Sequence, residues 1–183
     1  SLMPPEAVGE ILAGVSARLS LAPGAEVTLE TNPGTAEHGR FKGYRDAGVN
    51  RLSFGVQSFD DGCLQRLGRI HDSAEAEAAV RMARDDGFTD INLDLMYALP
   101  GQDLSMAMTD LERAIALEPT HLSHYQLTLE PNTLFHVRPP AGLPDDDAAW
   151  TIQEACQARL SEAGYVQYEV SAYARAGHRC RHN

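Results

Sequence analysis

The chain has 183 residues, 43% of them hydrophobic, which is enough for one substantial core and crowded for two domains. Its formal net charge of −11 and its pI of about 5.0 argue against a nucleic-acid-binding surface, because such surfaces need clustered Lys and Arg. No apolar run approaches the roughly 20 residues that span a bilayer, and the first residues do not resemble a secretion signal.

Helical and strand-like segments alternate along the chain. In chain order the patterns predict a helix at 5–20, a strand at 26–35, a weaker helix at 36–48, a strand at 51–59, a short helix at 60–68, a helix at 72–87, a strand at 91–100, a helix at 103–119, a strand at 121–131, a helix at 145–164 and a strand at 165–175. The helix at 72–87 has the clearest ends, because Asp72 and Glu75 form a capping-box pattern and Gly87 stops it. A proline-rich stretch lies at 131–144.

The number and spacing of the cysteines exclude some classes of protein. Cys63, Cys156 and Cys180 are odd in number and far apart, so they predict neither a disulfide framework nor a close-spaced metal motif. We therefore expect a cytoplasmic protein whose residues 1–183 form a single domain.

Helix-length connections between successive strands predict parallel pairing with right-handed crossovers. The fold class is therefore α/β, either a doubly wound sheet or part of a β/α barrel. Strands covered by helices on both faces should be almost wholly apolar, and these strands are not. Each has one polar face, which carries Thr28, Glu30 and Asn32; Ser53, Gly55 and Gln57; Asn92 and Asp94; His124, Gln126 and Thr128; and Glu169 and Ser171 in successive strands.

A shared polar face indicates the lumen of a partial (β/α) barrel, with helices on the outer, apolar face. In such barrels the chemistry gathers at the C-terminal ends of the strands. Glu30, Gln57 and Asp94 all lie late in their predicted strands, so we expect them to point into one pocket. This also gives a reason for Asp94, which otherwise sits as a costly charge in a buried strand.

Several functions remain open at this level. Glu30 and Asp94 suit acid–base chemistry, a metal ion, ribose hydroxyls or an ammonium group, although each could equally cap a neighbouring loop. Arg69 could grip a carboxylate or simply face solvent. A metal-dependent hydrolase with Glu30, Asp94 and His124 as ligands is a further alternative, and it is weakened because no second lumen histidine is predicted.

Six phrases occur in order over nearly the whole chain, from about Ala7 to Asn183: “ETNPGT”, “GVNRLSFGVQSF”, “LQRLGRIH”, “NLDLMYALPGQ”, “HLSHYQLTLEPNT” and “YEVSAYAR”. They resemble the radical S-adenosylmethionine family of oxygen-independent coproporphyrinogen III oxidase-like proteins, and most closely its bacterial heme-chaperone branch. The resemblance implies a partial barrel with a [4Fe-4S] cluster and S-adenosylmethionine at the strand ends. It implies either oxidative decarboxylation of coproporphyrinogen III or, in the chaperone branch, binding of heme and its transfer to an acceptor protein.

The same resemblance carries cofactor contacts onto five residues. They are Glu30 of “LETNP”, Gln57 of “FGVQSF”, Arg69 of “RLGRIH”, Asp94 of “NLDLM” and Thr128 of “YQLTLE”. Glu30, Gln57 and Asp94 are also the residues that the lumen pattern selects. Two independent lines of reasoning therefore agree on these three.

The chain also departs from the family pattern. The three-cysteine cluster motif and the Gly-Gly-Gly-Thr-Pro loop do not occur, and His182 and Asn183 match only the start of a longer His-Asn motif; Ala98 also stands where Gly is usual. We therefore expect the central piece of a longer protein, without the first strand and the cluster loop. Such a piece should have an unpaired sheet edge and no radical chemistry of its own.

Overall fold

A computed structural model describes residues 3–34 and 40–181. The strands are β1 (Thr28–Thr31), β2 (Arg51–Gln57), β3 (Asp90–Tyr97), β4 (His121–Gln126), β5 (Val166–Gln167) and β6 (Ala172–Ala174). The helices are α1 (Pro5–Ser16), α2 (Phe41–Asp46), α3 (Asp61–Arg66), α4 (Ser73–Asp85), α5 (Leu104–Ala116), α6 (Leu134–Val137) and α7 (Asp146–Glu162). All six strands form one sheet, in the order β1-β2-β3-β4-β6-β5.

The first four strands confirm the predicted α/β arrangement. β1, β2, β3 and β4 are hydrogen-bonded in sequence order, and every pair among them is parallel. Helical crossovers connect them, as parallel neighbours require. Within the described residues β1 pairs only with β2, so the predicted open edge lies there.

The prediction of one strand at 165–175 is wrong. The segment forms β5 and β6, which are antiparallel to each other, and β6 is antiparallel to β4. Only four residues separate β5 from β6, and a parallel crossover needs about a dozen or more. The chain therefore turns back on itself, and β6 runs against the direction of β1–β4.

Helix ends follow the predicted capping signals. The side chain of Asp72 accepts a hydrogen bond from Glu75 N, and the side chain of Glu75 accepts one from Asp72 N, so the capping box is confirmed. Asp103 and Asp145 each cap a helix with a single hydrogen bond, accepted from Met106 N in α5 and from Ala148 N in α7. The helix predicted at 36–48 is seen as α2, and residues 36–39 of that prediction lie outside the described residues. Helix α6 lies in the proline-rich stretch and was not predicted.

The core lies between the apolar face of the sheet and the helices. That face consists of Leu52, Phe54 and Val56 on β2, Ile91, Leu93 and Leu95 on β3 and Leu122 on β4, each at most 1% exposed. Alanines of α4 and α5 pack against it, which brings the helices close to the sheet. The opposite face of the same strands is left for polar side chains.

The predicted facing of β4 is wrong. His121, Ser123 and Tyr125 lie on the polar face, whereas His124 lies on the helix side, stacked on Tyr97 with 4.7 Å between ring centroids. The register explains the error, because Ser123 is the partner of Asp94 and neighbouring strands share the same facing. Both faces of β4 carry polar residues, so the sequence did not show which face points toward the cavity.

No helix within the described ranges is both long enough and apolar enough to cross a membrane. The expectation of a cytoplasmic protein stays a prediction, as does that of a single domain.

Candidate functional site

Polar side chains from four strands enclose a cavity of about 320 Å³ on the polar face of the sheet. Its wall includes Glu30, Ser53, Asn92, Asp94, Ser123 and Tyr125. Side chains two residues apart on a strand share a face, so alternation along each strand brings these groups together. The predicted polar lumen is thereby confirmed for β1, β2 and β3.

Asp94 lies in the middle of this wall, and its carboxylate accepts hydrogen bonds from neutral side chains. Ser53 Oγ donates to Asp94 Oδ2 at 3.2 Å, and Asn92 Nδ2 donates to Asp94 Oδ1 at 2.7 Å. Burial nevertheless raises the pKa of Asp94 above its usual value, and the nearby Glu30 carboxylate adds to this shift. The site is therefore electrostatically suited to a cationic ligand, which would stabilise the ionised form.

Glu30 stands at the exposed rim of the same cavity. Glu30 pairs in register with Ser53 on β2, and Asp94 lies on the next strand, β3. The carboxylates of Glu30 and Asp94 are close enough to interact electrostatically. The sequence-based expectation that Glu30 and Asp94 share one pocket is confirmed. One carboxylate is thus accessible from solvent, while the other lies deeper and is held by hydrogen bonds.

Gln57 lies at the C-terminal end of β2 and is only 4% exposed. A register shift between Phe54 and Gln57 marks a bulge, and Gln57 has a φ of 70°, an uncommon conformation for a residue with a side chain. The Tyr125 hydroxyl, which lines the cavity, donates to Gln57 Oε1 at 2.9 Å. Gln57 is therefore connected to the cavity through Tyr125 without forming part of its wall, so the prediction of one shared pocket holds for Glu30 and Asp94 and not for Gln57.

Arg69 and Thr128 lie outside the cavity wall. Arg69 is exposed in the loop after α3, where its charge acts on Tyr125 and lowers the pKa of that phenol, although burial raises this pKa overall. Thr128 is exposed just beyond β4, and its hydroxyl donates to Glu130 at 2.9 Å. Both follow the C-terminal ends of their strands, so the structure places them on the side of the sheet where β1–β4 end.

The base of the cavity is closed by residues that sequence reasoning did not select. His121 Nδ1 lies 2.6 Å from Asn92 Oδ1, and its Nε2 lies 2.7 Å from the Tyr168 hydroxyl. Arg51 pairs with Glu26 at 3.6 Å and is almost fully buried. The correct facing of β4 would have identified His121, and the mostly polar sequence of that strand gave no means of finding it.

A family model described as the radical SAM superfamily matches residues 3–114. The chain belongs to the radical SAM superfamily. Two curated relatives, each named heme chaperone HemW, align with the whole chain and with 48% of their own length: that of Escherichia coli (strain K12) is 56% identical and that of Haemophilus influenzae is 53% identical. The chain therefore spans about half the length of the curated relatives that it matches.

A solved structure, the coproporphyrinogen III oxidase HemN from Escherichia coli, matches with a TM-score of 0.86 and 26% identity. The match covers 96% of this chain and 41% of HemN. HemN is described as a radical SAM enzyme, and the match confirms the predicted barrel-type fold.

Radical SAM proteins use S-adenosylmethionine and a [4Fe-4S] cluster, and the described residues fit only the first of these. S-adenosylmethionine has a sulfonium, an ammonium group and ribose hydroxyls, which complement a cavity with two carboxylates and neutral donors. Cys63 and Cys156 are buried on α3 and α7, and Cys180 lies at the base of the cavity. Across residues 3–34 and 40–181, no group of three His, Cys, Asp or Glu residues is placed to hold a metal.

That finding bears on the alternative of a metal-dependent hydrolase. His124, one of its three expected ligands, faces the helices, is 5% exposed, and burial lowers its pKa to about 4. Glu30 and Asp94 line the cavity on the other face of the sheet. The proposed ligand set of Glu30, Asp94 and His124 is therefore wrong.

Proposed function

We propose that this chain is the S-adenosylmethionine-binding part of a heme-chaperone-type radical SAM protein, which binds heme and passes it to an acceptor protein. The observation that carries this proposal is 53–56% identity over all 183 residues to proteins named heme chaperone. Identity to the coproporphyrinogen III oxidase structure is 26%. The chaperone reading therefore has more support than the oxidase reading.

Each of the cavity residues would hold a different part of S-adenosylmethionine. When bound, this cofactor would supply a reactive sulfonium C–S bond. Glu30, at the open rim, would accept hydrogen bonds from the ribose hydroxyls. Asp94, held by Ser53 and Asn92, would place negative charge deeper in the cavity. Gln57, with its oxygen engaged by Tyr125, would present its amide N–H groups.

Arg69 and Thr128 would complete the contacts from outside the cavity wall. Arg69 has the planar fork that binds a carboxylate in two places, which suits the carboxylate of the methionine moiety. Thr128 follows β4 and would offer a hydroxyl at the rim. Because the described residues do not fit a cluster, we assign no reaction step to one in this chain.

Oxidation of coproporphyrinogen III is the second candidate. The fold match to HemN over 96% of the chain favours it, because the barrel is shared at a TM-score of 0.86. Fold alone does not fix function, since one barrel supports many activities.

The two candidates differ in what they do with a tetrapyrrole. The full-length protein should be prepared anaerobically and given coproporphyrinogen III in one experiment and heme in another. We expect a stoichiometric heme complex and no decarboxylated product. Catalytic conversion of coproporphyrinogen III would instead establish the oxidase, and a protein that neither binds heme nor converts the porphyrinogen would contradict both.

A further inference from the structure

A second cavity, of about 460 Å³, lies beside the base of the first cavity, and Cys180 borders both. It is bordered by the small or aliphatic residues Val166, Ala174 and Ala176 and by Arg175, Arg179 and Arg181. Val166 pairs with Ala174, which pairs in turn with His121, the first residue of β4. The cavity therefore lies near the N-terminal ends of the parallel strands, away from the ends that carry Gln57 and Tyr125.

Positive charge is concentrated around this second cavity. Residues 170–183 contain three Arg and no Asp or Glu, in a chain whose formal net charge is −11. Within the described residues no carboxylate lies within ion-pair distance of the three guanidinium groups. Arg181 Nη1 donates to the backbone oxygen of Gly24 at 3.1 Å, and its backbone N–H donates to Glu26 Oε1 at 3.2 Å. The three guanidinium groups thus have no ion-pair partner in the described part of the chain, although Glu26 and Asp90 line a neighbouring cavity together with Arg179 and Arg181.

Two of the arginines are held in place by aromatic rings. Arg175 Cζ lies 4.9 Å from the centre of the Tyr165 ring, and Arg179 Cζ lies 5.3 Å from that of Tyr168. Stacking on a ring orients a guanidinium and leaves its edge free to bind a planar carboxylate with two hydrogen bonds. Arg175 Nε is also buried and has no hydrogen-bond partner among residues 3–34 and 40–181, so a donor is already desolvated there.

We propose that this arginine-lined cavity binds the carboxylate-bearing edge of a tetrapyrrole cargo. The proposal rests on the heme-binding function proposed above and adds the place and the chemistry of recognition. The guanidinium groups would bind the propionate groups, and the apolar residues would contact the edge of the macrocycle. A phosphate-bearing ligand would share the first of these interactions without the second.

The test uses the full-length protein, titrated with hemin and with hemin dimethyl ester, in which both carboxylates are masked. Arg175→Gln and Arg179→Gln remove one charge each. Arg81→Gln, on the exposed surface of α4, removes the same charge elsewhere and is the matched control. Arg175→Lys keeps the charge without the planar fork, and circular dichroism shows whether each variant is folded. Inorganic phosphate is added as a competitor.

We expect the unchanged protein to bind hemin more tightly than the diester, and each Gln variant to raise the hemin Kd about 10-fold. Binding of the diester and of the Arg81→Gln control should be unchanged, and Arg175→Lys should restore part of the affinity. Equal losses for hemin and diester, or no loss in folded variants, would overturn the inference while leaving heme binding intact, as would displacement of hemin by millimolar phosphate. Failure of the unchanged protein to bind hemin would overturn the proposed function as well.

Discussion

The Tyr125 hydroxyl donates a hydrogen bond to Gln57 Oε1 at 2.9 Å, although the two residues lie on strands separated by β3. The bond occupies the amide oxygen and leaves the Nε2 hydrogens as donors toward a ligand. Gln57 is also fixed by its bulged backbone, with φ at 70°. Tyr125 therefore determines which end of the Gln57 amide stays free to donate hydrogen bonds beside the cavity.

Replacing Tyr125 by Phe should weaken S-adenosylmethionine binding by about 3- to 10-fold, because one net hydrogen bond is worth about 1 kcal/mol. Gln57→Ala should weaken binding as well. Since Tyr125 acts through Gln57, the double variant should bind about as well as Gln57→Ala alone. Equilibrium dialysis of the full-length protein gives the three dissociation constants. Ser123→Ala, which alters the same cavity without contacting Gln57, is the control. If the losses of binding free energy caused by Tyr125→Phe and Gln57→Ala are fully additive in the double variant, Tyr125 does not act by positioning Gln57.

Gly55 provides the space for the polar ends of two side chains. A Cβ at this position would lie 3.0 Å from Asn32 Oδ1 and 3.0 Å from Gln57 Nε2. We therefore expect Gly55→Ala to displace the Gln57 amide and lower the affinity for S-adenosylmethionine. The unfolding temperature should change little, because both crowded atoms are side-chain ends. Gly14→Ala on α1, where the nearest atom is 3.5 Å away, should raise stability by about 1 kcal/mol and leave binding unchanged.

Asp94→Asn should separate stability from binding. Burial raises the pKa of Asp94 above the usual 3.8, so folding penalises the ionised form at neutral pH. The neutral Asn variant should therefore unfold at a higher urea concentration than the unchanged protein at pH 7, and lose this advantage below the unfolded pKa. Affinity for S-adenosylmethionine should fall, because the cavity loses negative charge. A variant that is less stable at pH 7 would contradict this assignment of Asp94.

Asp110, on α5 on the helix side of the sheet, should make stability depend on pH. Burial raises its pKa to about 6, the Asp60 carboxylate adds to this, and hydrogen bonds from Ser58 and Phe59 N together with the charge of Arg113 oppose it. A folded pKa above the unfolded one favours folding at low pH, and this contribution is fully present below about pH 3.8 and lost as pH rises through about 6. At pH 7 the loss is up to about 3 kcal/mol.

The comparison of unfolding free energies for the unchanged protein and Asp110→Asn from pH 4 to pH 7 measures this effect. Every other ionisable group is common to both, so their difference isolates Asp110. The unchanged protein should lose stability relative to the variant as pH rises. Parallel curves would show that the hydrogen bonds to Ser58 and Phe59 offset burial completely.

Residues in strands with one clearly apolar face were placed well from the sequence. In β2 and β3, strict alternation of Leu52, Phe54 and Ile91, Leu93 with polar neighbours fixes the facing, and Asp94 follows from it. In β4 the sequence “HLSHYQ” has polar residues in both sets, and only pairing with β3 decides that Ser123 faces the cavity. Long-range register is a tertiary property, so local pattern could not supply it.

The prediction of a single strand at 165–175 was wrong for a different reason. The apolar and polar residues of 165–175 alternate as in a single strand, but the hairpin turn between β5 and β6 lies inside that pattern. The Tyr125–Gln57 bond likewise joins residues 68 positions apart and depends on a bulge. The sequence shows which two residues are present, but it does not show that they form a hydrogen bond with each other.

The arginines of the second cavity and Gln57 lie toward opposite ends of the strands, although Cys180 borders both cavities, and this separation has a consequence for reactivity. β4 has six residues, so five steps of about 3.3 Å put roughly 17 Å between the Cα atoms at its two ends. Abstraction of a hydrogen atom requires the reacting atoms to touch, so a macrocycle whose carboxylate edge binds beside Arg175 would keep that edge away from Gln57. Under the two proposals together, the carboxylate groups of the bound tetrapyrrole lie away from the cofactor contacts at Gln57, and the tetrapyrrole is released chemically unaltered.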